Sequence, residues 1–487
     1  MQAEQNQMPL LAAMFQYKQA QVYPFHTPGH KGGRGLEPQL AAELGAGAAQ
    51  LDVSLMAELD DLHCPTGCLA AAQTLAARLY GSDSCFFAVN GTTQAIHAML
   101  LTAVKPGGKV LVPRNAHRSV AGGLLLGELE PVYITPQFAD DFGINTQVTV
   151  AQVAAALRQD PAIKAVFLTS PNYYGQAADI QAIAELVHAS GAVLLVDEAH
   201  GPHLGFSPLL PPSALACGAD ACAQSTHKIT GALTQCSMLQ MQGARLDLQR
   251  AADVMSLLTT TSPNYLLLAS LDAARFQLAT RGRQMCEQAL ASASKLRQLL
   301  QNFAGLRILD SACIGSHGVA AFDSTKVTVN VSAWGYTGIE VSDKLRQAGI
   351  AVELTDAGNV LFLVTYGDSG AAYDAALARI QQVFKALEQS KRPQQTLPAG
   401  QQIPAPQQVL PLRQAFDSAK TSVALAQSAG KICAEQVSFY PPGIPVLLPG
   451  ELITPAIIAY CENMRNLGLP VSGPADGSLR EIRVVLT

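Results

Sequence analysis

The stretch Ala192-Val193-Leu194-Leu195-Val196-Asp197-Glu198-Ala199-His200-Gly201 decides the fold: five apolar residues, two acids, then a histidine and a glycine. An apolar run this short, without alternation, reads as a strand buried on both faces. Asp197 then stands at a strand's carboxyl end, where open α/β sheets bind their ligands. The same Asp also reads as an N-cap for the segment that follows. Outward from it the rhythm repeats. Strands are predicted at 165–169, 110–112 and 85–89, and helices at 180–189, 151–157, 93–104 and 70–80. Short apolar strands between helices predict an α/β fold whose mostly parallel sheet is covered on both faces.

Downstream, residues 275–303 read as a long helix leading out of this domain. Residues 305–388 mix strands, at 326–331 and 360–364, with helices, as a smaller α+β domain does. The Pro- and Gln-rich stretch 392–406 lacks apolar periodicity and reads as a linker. Upstream, Pro24, Pro28, Gly29, Gly32, Gly33 and Gly35 break any long element, so the start reads as an arm. The predicted organisation is an arm at 1–35, a large domain at 36–280, a small α+β domain at 281–391, a linker at 392–410 and a C-terminal module at 411–487.

Composition narrows the function. Of 487 residues, 49% are hydrophobic and 14% charged, which excludes a disordered polyelectrolyte. Lys and Arg number 32 against 37 Asp and Glu, so nucleic acid is not an expected partner. No basic-then-apolar start resembles a signal peptide, and the apolar runs are too short to span a bilayer, so no membrane association is expected. Ten scattered cysteines read as reduced thiols of a cytoplasmic protein. His63, Cys64 and Cys68 lack a tetrahedral set, so no metal is expected. Cys64 with Cys68, and Cys217 with Cys222, read as structural thiols before redox pairs.

Two further motifs flank the Asp197 strand. Val89-Asn90-Gly91-Thr92-Thr93 follows a strand and opens a helix, where backbone N–H groups and hydroxyls suit a phosphate. Alone, such a turn is more often a helix cap. Ser225-Thr226-His227-Lys228 puts a lysine after hydroxyls and a histidine in an apolar region. Desolvation there frees an amine as nucleophile, although a surface lysine is the default. A phosphate turn, a strand-end Asp and then a Lys resembles the order in fold-type I, aspartate aminotransferase-like enzymes that use pyridoxal 5′-phosphate.

A finer resemblance is to the Orn/Lys/Arg decarboxylase family, in its short form. It is carried by Phe25-His26-Thr27-Pro28-Gly29-His30-Lys31, Glu58-Leu59-Asp60-Asp61-Leu62-His63 and Pro113-Arg114-Asn115-Ala116-His117-Arg118-Ser119. It continues through the Asp197 and Lys228 motifs, Thr259-Thr260-Thr261-Ser262-Pro263-Asn264-Tyr265 and Tyr440-Pro441-Pro442-Gly443-Ile444-Pro445-Val446-Leu447-Leu448-Pro449-Gly450-Glu451. The resemblance implies that Lys228 carries the cofactor, Asp197 pairs with its ring nitrogen, His117 stacks on the ring and His200 lies beside it. Gly91, Thr92, Thr93, Ser225 and His227 would hold the phosphate. Thr260, Thr261 and Ser262 would come from a neighbouring subunit, which implies a homodimer or higher homo-oligomer. Ile229-Thr230-Gly231 departs from the family's Thr-Leu-Pro after the lysine, which affects the loop and not the lysine.

The implied reaction is decarboxylation of a basic amino acid to a polyamine precursor and CO2, with arginine preferred and lysine or ornithine open. The substrate's cation needs an acid, because an unpaired buried charge is costly. Glu451 is the first candidate, with Asp60 and Asp61 behind it. Glu451 as an organiser of neighbouring groups is the competing reading. His227 is a candidate donor of the proton to Cα. An aminotransferase or lyase of the same fold, or a silent cofactor-binding regulator, remain as alternatives.

Overall fold

The computed structural model describes residues 2–393, 403–439 and 443–486. Residues 394–402 of the expected linker, and Tyr440, Pro441 and Pro442 of the last motif, lie outside them. The strands used below are β1 (Ser84–Ala88), β2 (Lys109–Pro113), β3 (Glu130–Ile134), β4 (Ile163–Thr169), β5 (Val193–Asp197), β6 (Ala221–Gln224) and β7 (Ser237–Met241). The helices used below are α1 (Pro9–Gln19), α2 (Cys68–Tyr80), α3 (Gly91–Ala103), α4 (Arg118–Leu126), α5 (Thr226–Ile229) and α6 (Tyr265–Gln301).

The chain divides into two compact units. The first takes in residues up to Ala103, Val193–Pro208 and Pro212–Met285; the second takes in Val104–Ala192, Leu209–Pro211 and residues from Cys286 onward.

The first unit holds four hydrogen-bonded strands in the order β1-β7-β6-β5. β5 and β6 are parallel, with Leu195 opposite Ala221 and Asp197 opposite Ala223. β7 runs antiparallel to both its neighbours, so the sheet is mixed rather than wholly parallel. All five residues of β5 are buried, as a continuous apolar run requires. Phe87, Met238, Leu268 and Leu271 form a core that Leu10 and Met14 of α1 complete. The start of the chain therefore departs from the expected broken arm, since residues 9–19 are helical and pack inward. Pro9 opens α1 at its first turn, and Met8 supplies no side-chain cap. Asp272 of α6 substitutes for that cap by accepting the Leu10 N–H at 3.0 Å. Arg275 pairs with Asp272 at 2.8 Å and donates to the carbonyls of Gln5 and Gln7.

The second unit holds β2 between β3 and β4, all parallel. The later part of α6 packs Ala293, Leu296 and Leu300 against Val327, Val329, Trp334 and Phe384. Val327 and Val329 belong to a four-stranded antiparallel sheet. Nearer the end of the chain, strands Lys420–Ala424 and Glu481–Val485 pair antiparallel. A three-stranded sheet of Ile444–Leu447, Val437–Phe439 and Val471–Ser472 shares a core with helix Pro455–Asn466 through Val437, Leu447, Ile457 and Cys461. α6 begins ten residues before the expected 275, because Asn264 Oδ1 accepts the Leu267 N–H at 3.1 Å and caps it there. No helix among the described residues is long and apolar enough to cross a membrane.

Candidate active site

The apolar run of β5 delivers a carboxylate to the end of a buried strand. Asp197 is 4% exposed, and burial pushes its carboxyl up to about 6 against the pull of Lys228 and of a backbone N–H. Its Oδ1 accepts that N–H, from Ala199, at 3.1 Å. Among the described residues no donor meets its other oxygen. The neighbouring Glu198 points elsewhere. It accepts from the Ala214 N–H at 2.6 Å and the Gln224 amide at 2.7 Å, and burial pushes it up to about 7. Glu198 thereby ties the end of β5 to β6.

Lys228 lies in α5, a single turn that follows Ser225. Its Nζ is 2.9 Å from Nε2 of the buried His200. His227 is fixed by a carbonyl that can only accept, so its Nδ1 donates to Cys236 O at 2.7 Å. Burial, and secondarily Lys228, hold this imidazole below its ordinary range. The ring is therefore neutral near pH 7, with Nε2 an acceptor.

Gly91 stands at the first position of α3 with φ +68°, a conformation that an L side chain rarely adopts. Behind this turn runs a chain of hydroxyls. Ser237 donates to Gln224 O at 2.8 Å, so Thr92 donates to Ser237 at 2.9 Å and Ser225 to Thr92 at 2.5 Å. An anion at the turn would draw the Ser225 and Thr92 protons toward itself while Ser237 keeps its carbonyl. Gly91, Thr92, Asp197, His200, Ser225, His227 and Lys228 all belong to the first unit. Thr93 does not join the hydroxyl chain; it is exposed. Ser237 escaped sequence reading. Its one signal is a hydroxyl opening a strand in which every residue is buried.

Other expected residues have different settings. Asp60 accepts N–H groups from Asp61, Thr66, Gly67, Leu69 and Ala70, which leaves little of it for a substrate cation. His26 bonds Tyr17 at 2.7 Å within the arm, and His30 ties the arm to Asp52 beyond it at 3.0 Å. Thr260, Thr261 and Ser262 are exposed, and His63 reaches Thr260 O at 3.1 Å.

His117 and Glu451 belong to the second unit. His117 caps α4, with Nδ1 2.8 Å from Ser119 Oγ. Glu451 is wholly buried, and its Oε2 accepts from Arg114 Nη2 at 3.0 Å and from the Leu448 N–H at 2.7 Å. Burial pushes Glu451 up to about 7 despite Arg114.

A strand-end Asp, a lysine on the turn after the next strand and a hydroxyl-lined helix N-terminus define the class of fold-type I pyridoxal-phosphate enzymes. Residues 8–372 match the family model "Orn/Lys/Arg decarboxylase, major domain", and residues 401–473 match "Orn/Lys/Arg decarboxylase, C-terminal domain". The chain belongs to the Orn/Lys/Arg decarboxylase family. It is 39% identical over 483 residues to the arginine decarboxylase of Bacillus subtilis, covering 99% of this chain and 98% of that one. The arginine decarboxylase of Bacillus anthracis is 37% identical over 482 residues, with 99% and 98% covered. Among solved structures, the lysine decarboxylase of Francisella novicida superposes with a TM-score of 0.85 at 22% identity, over 98% of this chain and 81% of that one, a likeness of fold.

Proposed function

We propose that this chain decarboxylates arginine with pyridoxal 5′-phosphate, releasing CO2 and leaving a proton on Cα in its place. The observation that carries the reading is the first unit's cluster, in which Lys228 Nζ meets His200 beside a buried Asp197 and a hydroxyl-lined turn. These residues fit the cofactor. A Cβ built on Gly91 meets nothing within 4 Å, so the turn has room for a phosphate at a helix N-terminus. The Asp197 oxygen without a donor suits a protonated ring nitrogen, whose charge would favour the ionised acid. When bound, pyridoxal phosphate supplies the sink for the electron pair that the departing carboxylate leaves behind.

The chain's own residues do the rest. Lys228 offers the amine that holds the cofactor's aldehyde carbon. Ser225 and Thr92 bind the phosphate by turning their hydroxyl protons from Thr92 and Ser237 toward it. His117, by the family resemblance, supplies a flat face against the ring. The proton delivered to Cα has to come from this pocket. Lys228 and His200 face each other at 2.9 Å and make a better acid pair than His227, which burial holds neutral. Arginine is preferred because relatives named arginine decarboxylase match over nearly the whole chain. We further propose an assembly of at least two subunits, with Thr260, Thr261 and Ser262 completing a neighbour's site, and a cytoplasmic setting. No disulfide forms among the described residues, which suits a reducing compartment.

The test is a panel of arginine, lysine and ornithine with labelled carboxyl carbon and identification of the amine product. CO2 release fastest from arginine is expected. Release fastest from lysine or ornithine would overturn the substrate assignment. Keto-acid formation without CO2 would overturn the reaction.

A further inference from the structure

We propose that Glu451, acting through Arg114, is a positioning residue for the turn that carries His117, rather than the acid that meets the substrate's cation. The proposal rests on the reading above that His117 lies against the cofactor.

Accessibility argues against a substrate role. An oxygen that meets a substrate has to be reachable by water before the substrate arrives. Glu451 is 0% exposed, and its one oxygen without a hydrogen bond, Oε1, is closed to solvent. The other oxygen is committed to Arg114 and to the Leu448 N–H.

Leverage argues for a positioning role. Arg114 directly follows β2 and precedes His117 by three residues. Its N–H donates to Ile134 O on β3 at 2.9 Å, and its Nη2 donates to Val446 O at 3.1 Å as well as to Glu451. Its guanidinium carbon lies 5.1 Å from the centre of the Tyr133 ring. One buried cation thus joins the ends of β2 and β3 to the 446–451 segment. The same segment reaches the far side of the turn, where Leu448 shares a small apolar cluster with Ala121 of α4. Between these anchors the turn is short. Ala116 N–H bonds Pro113 O at 3.0 Å, and His117 O accepts the Val120 N–H at 2.9 Å. His117 therefore has an anchor on either side, and the 446–451 segment takes part in both. A buried ion pair adds little net stability because desolvation offsets the attraction. What it supplies here is geometry, since the planar guanidinium donates along fixed directions.

The experiment uses the holoenzyme. In Glu451→Gln the circular dichroism of the cofactor's visible band is expected to change, because the ring's asymmetric neighbour has moved. kcat is expected to fall roughly 3- to 30-fold, within the span of couplings between contacting residues. KM for arginine is expected to stay within about twofold, as for a group that does not touch substrate. A raised KM with an unchanged band and kcat would overturn the proposal and make Glu451 the substrate acid. His117→Phe combined with Glu451→Gln is expected to cost little more than His117→Phe alone; full additivity also overturns it. If His117→Phe alone leaves both band and kcat unchanged, the cofactor role of His117 fails first and the proposal with it. Should Glu451→Gln not fold, Arg114→Met with Glu451→Leu refills the space without charge. That double variant is expected to fold yet keep the reduced kcat and altered band; wild-type values in it would overturn the proposal.

Discussion

Asp197 is where stability and chemistry oppose each other. Burial raises its carboxyl from an ordinary 3.8 to about 6. Between those values the folded chain keeps a proton that the unfolded chain has lost. The group's stabilising contribution is therefore present below the unfolded value and is lost as pH rises through about 6. At pH 8 the cofactor-free protein bears the cost of a buried anion. Asp197→Asn is expected to raise the apoprotein's resistance to urea by about 1–3 kcal/mol at pH 8, with little gain at pH 4. On the proposed reading the same change removes the charged partner of the ring nitrogen. Losing a hydrogen bond to a charge of about 1.5–3 kcal/mol should slow turnover by more than roughly tenfold. Wild-type turnover in this variant would take Asp197 out of the cofactor site. Lys228 carries a separate expectation. Borohydride reduction of the holoenzyme should fix the pyridoxyl group to the peptide containing Lys228, and Lys228→Ala should abolish steady turnover. Labelling of any other lysine would contradict the assignment.

At the scale of elements, what could be read in advance was what short-range chemistry dictates. β5 was legible because a continuous apolar run ending in an acid has few other solutions. The turn at Gly91 was legible because a glycine and two hydroxyls follow a strand and open a helix. Less legible were features whose partner lies far along the chain. α1 has an ordinary sequence and no cap of its own; its cap, Asp272, is 262 residues away. Ser237 joins the hydroxyl chain only once β7 lies beside β6, a pairing that no local pattern announces. The loop around Asp60 read as a possible substrate acid because its convergence of N–H groups is invisible in one dimension. The Asp272–Arg275 pair makes a prediction at this scale. Asp272→Ala leaves a buried guanidinium without its anion and α1 without its distant cap. The expected loss is about 3–5 kcal/mol of stability, as for breaking one side of a buried pair. Urea unfolding measures it, and limited proteolysis should cleave first within the opening residues. A loss below about 1 kcal/mol would mean that α1 is held by Leu10 and Met14 alone.

At the scale of the whole molecule, the first unit alone presents a lysine, an acid and a hydroxyl-lined turn, yet one expected part of the site is exposed. Thr260, Thr261 and Ser262 are exposed, and so are Leu257 near them and Tyr23 and Phe25 on the arm. Leu257 is 80% exposed, Phe25 91% and Tyr23 64%. Large apolar side chains left in water favour burial against another chain. In a twofold assembly each site would take Lys228 from one subunit and the 260–262 loop from the other. That arrangement is testable by complementation. Lys228→Ala subunits should be inactive because the amine is missing. Subunits in which Thr260, Thr261 and Ser262 are all replaced by glycine should be nearly inactive for want of the loop. In a hybrid pair, one site combines both defects and the other is intact. Random mixing makes half of the pairs hybrids, so about a quarter of all sites should be active. Refolding the two inactive proteins together should therefore restore about a quarter of wild-type turnover, whereas each refolded alone restores none. If the loop serves its own subunit, each hybrid site carries one defect and the mixture stays inactive. A monomer that retains full turnover on dilution would exclude the shared site from the opposite direction.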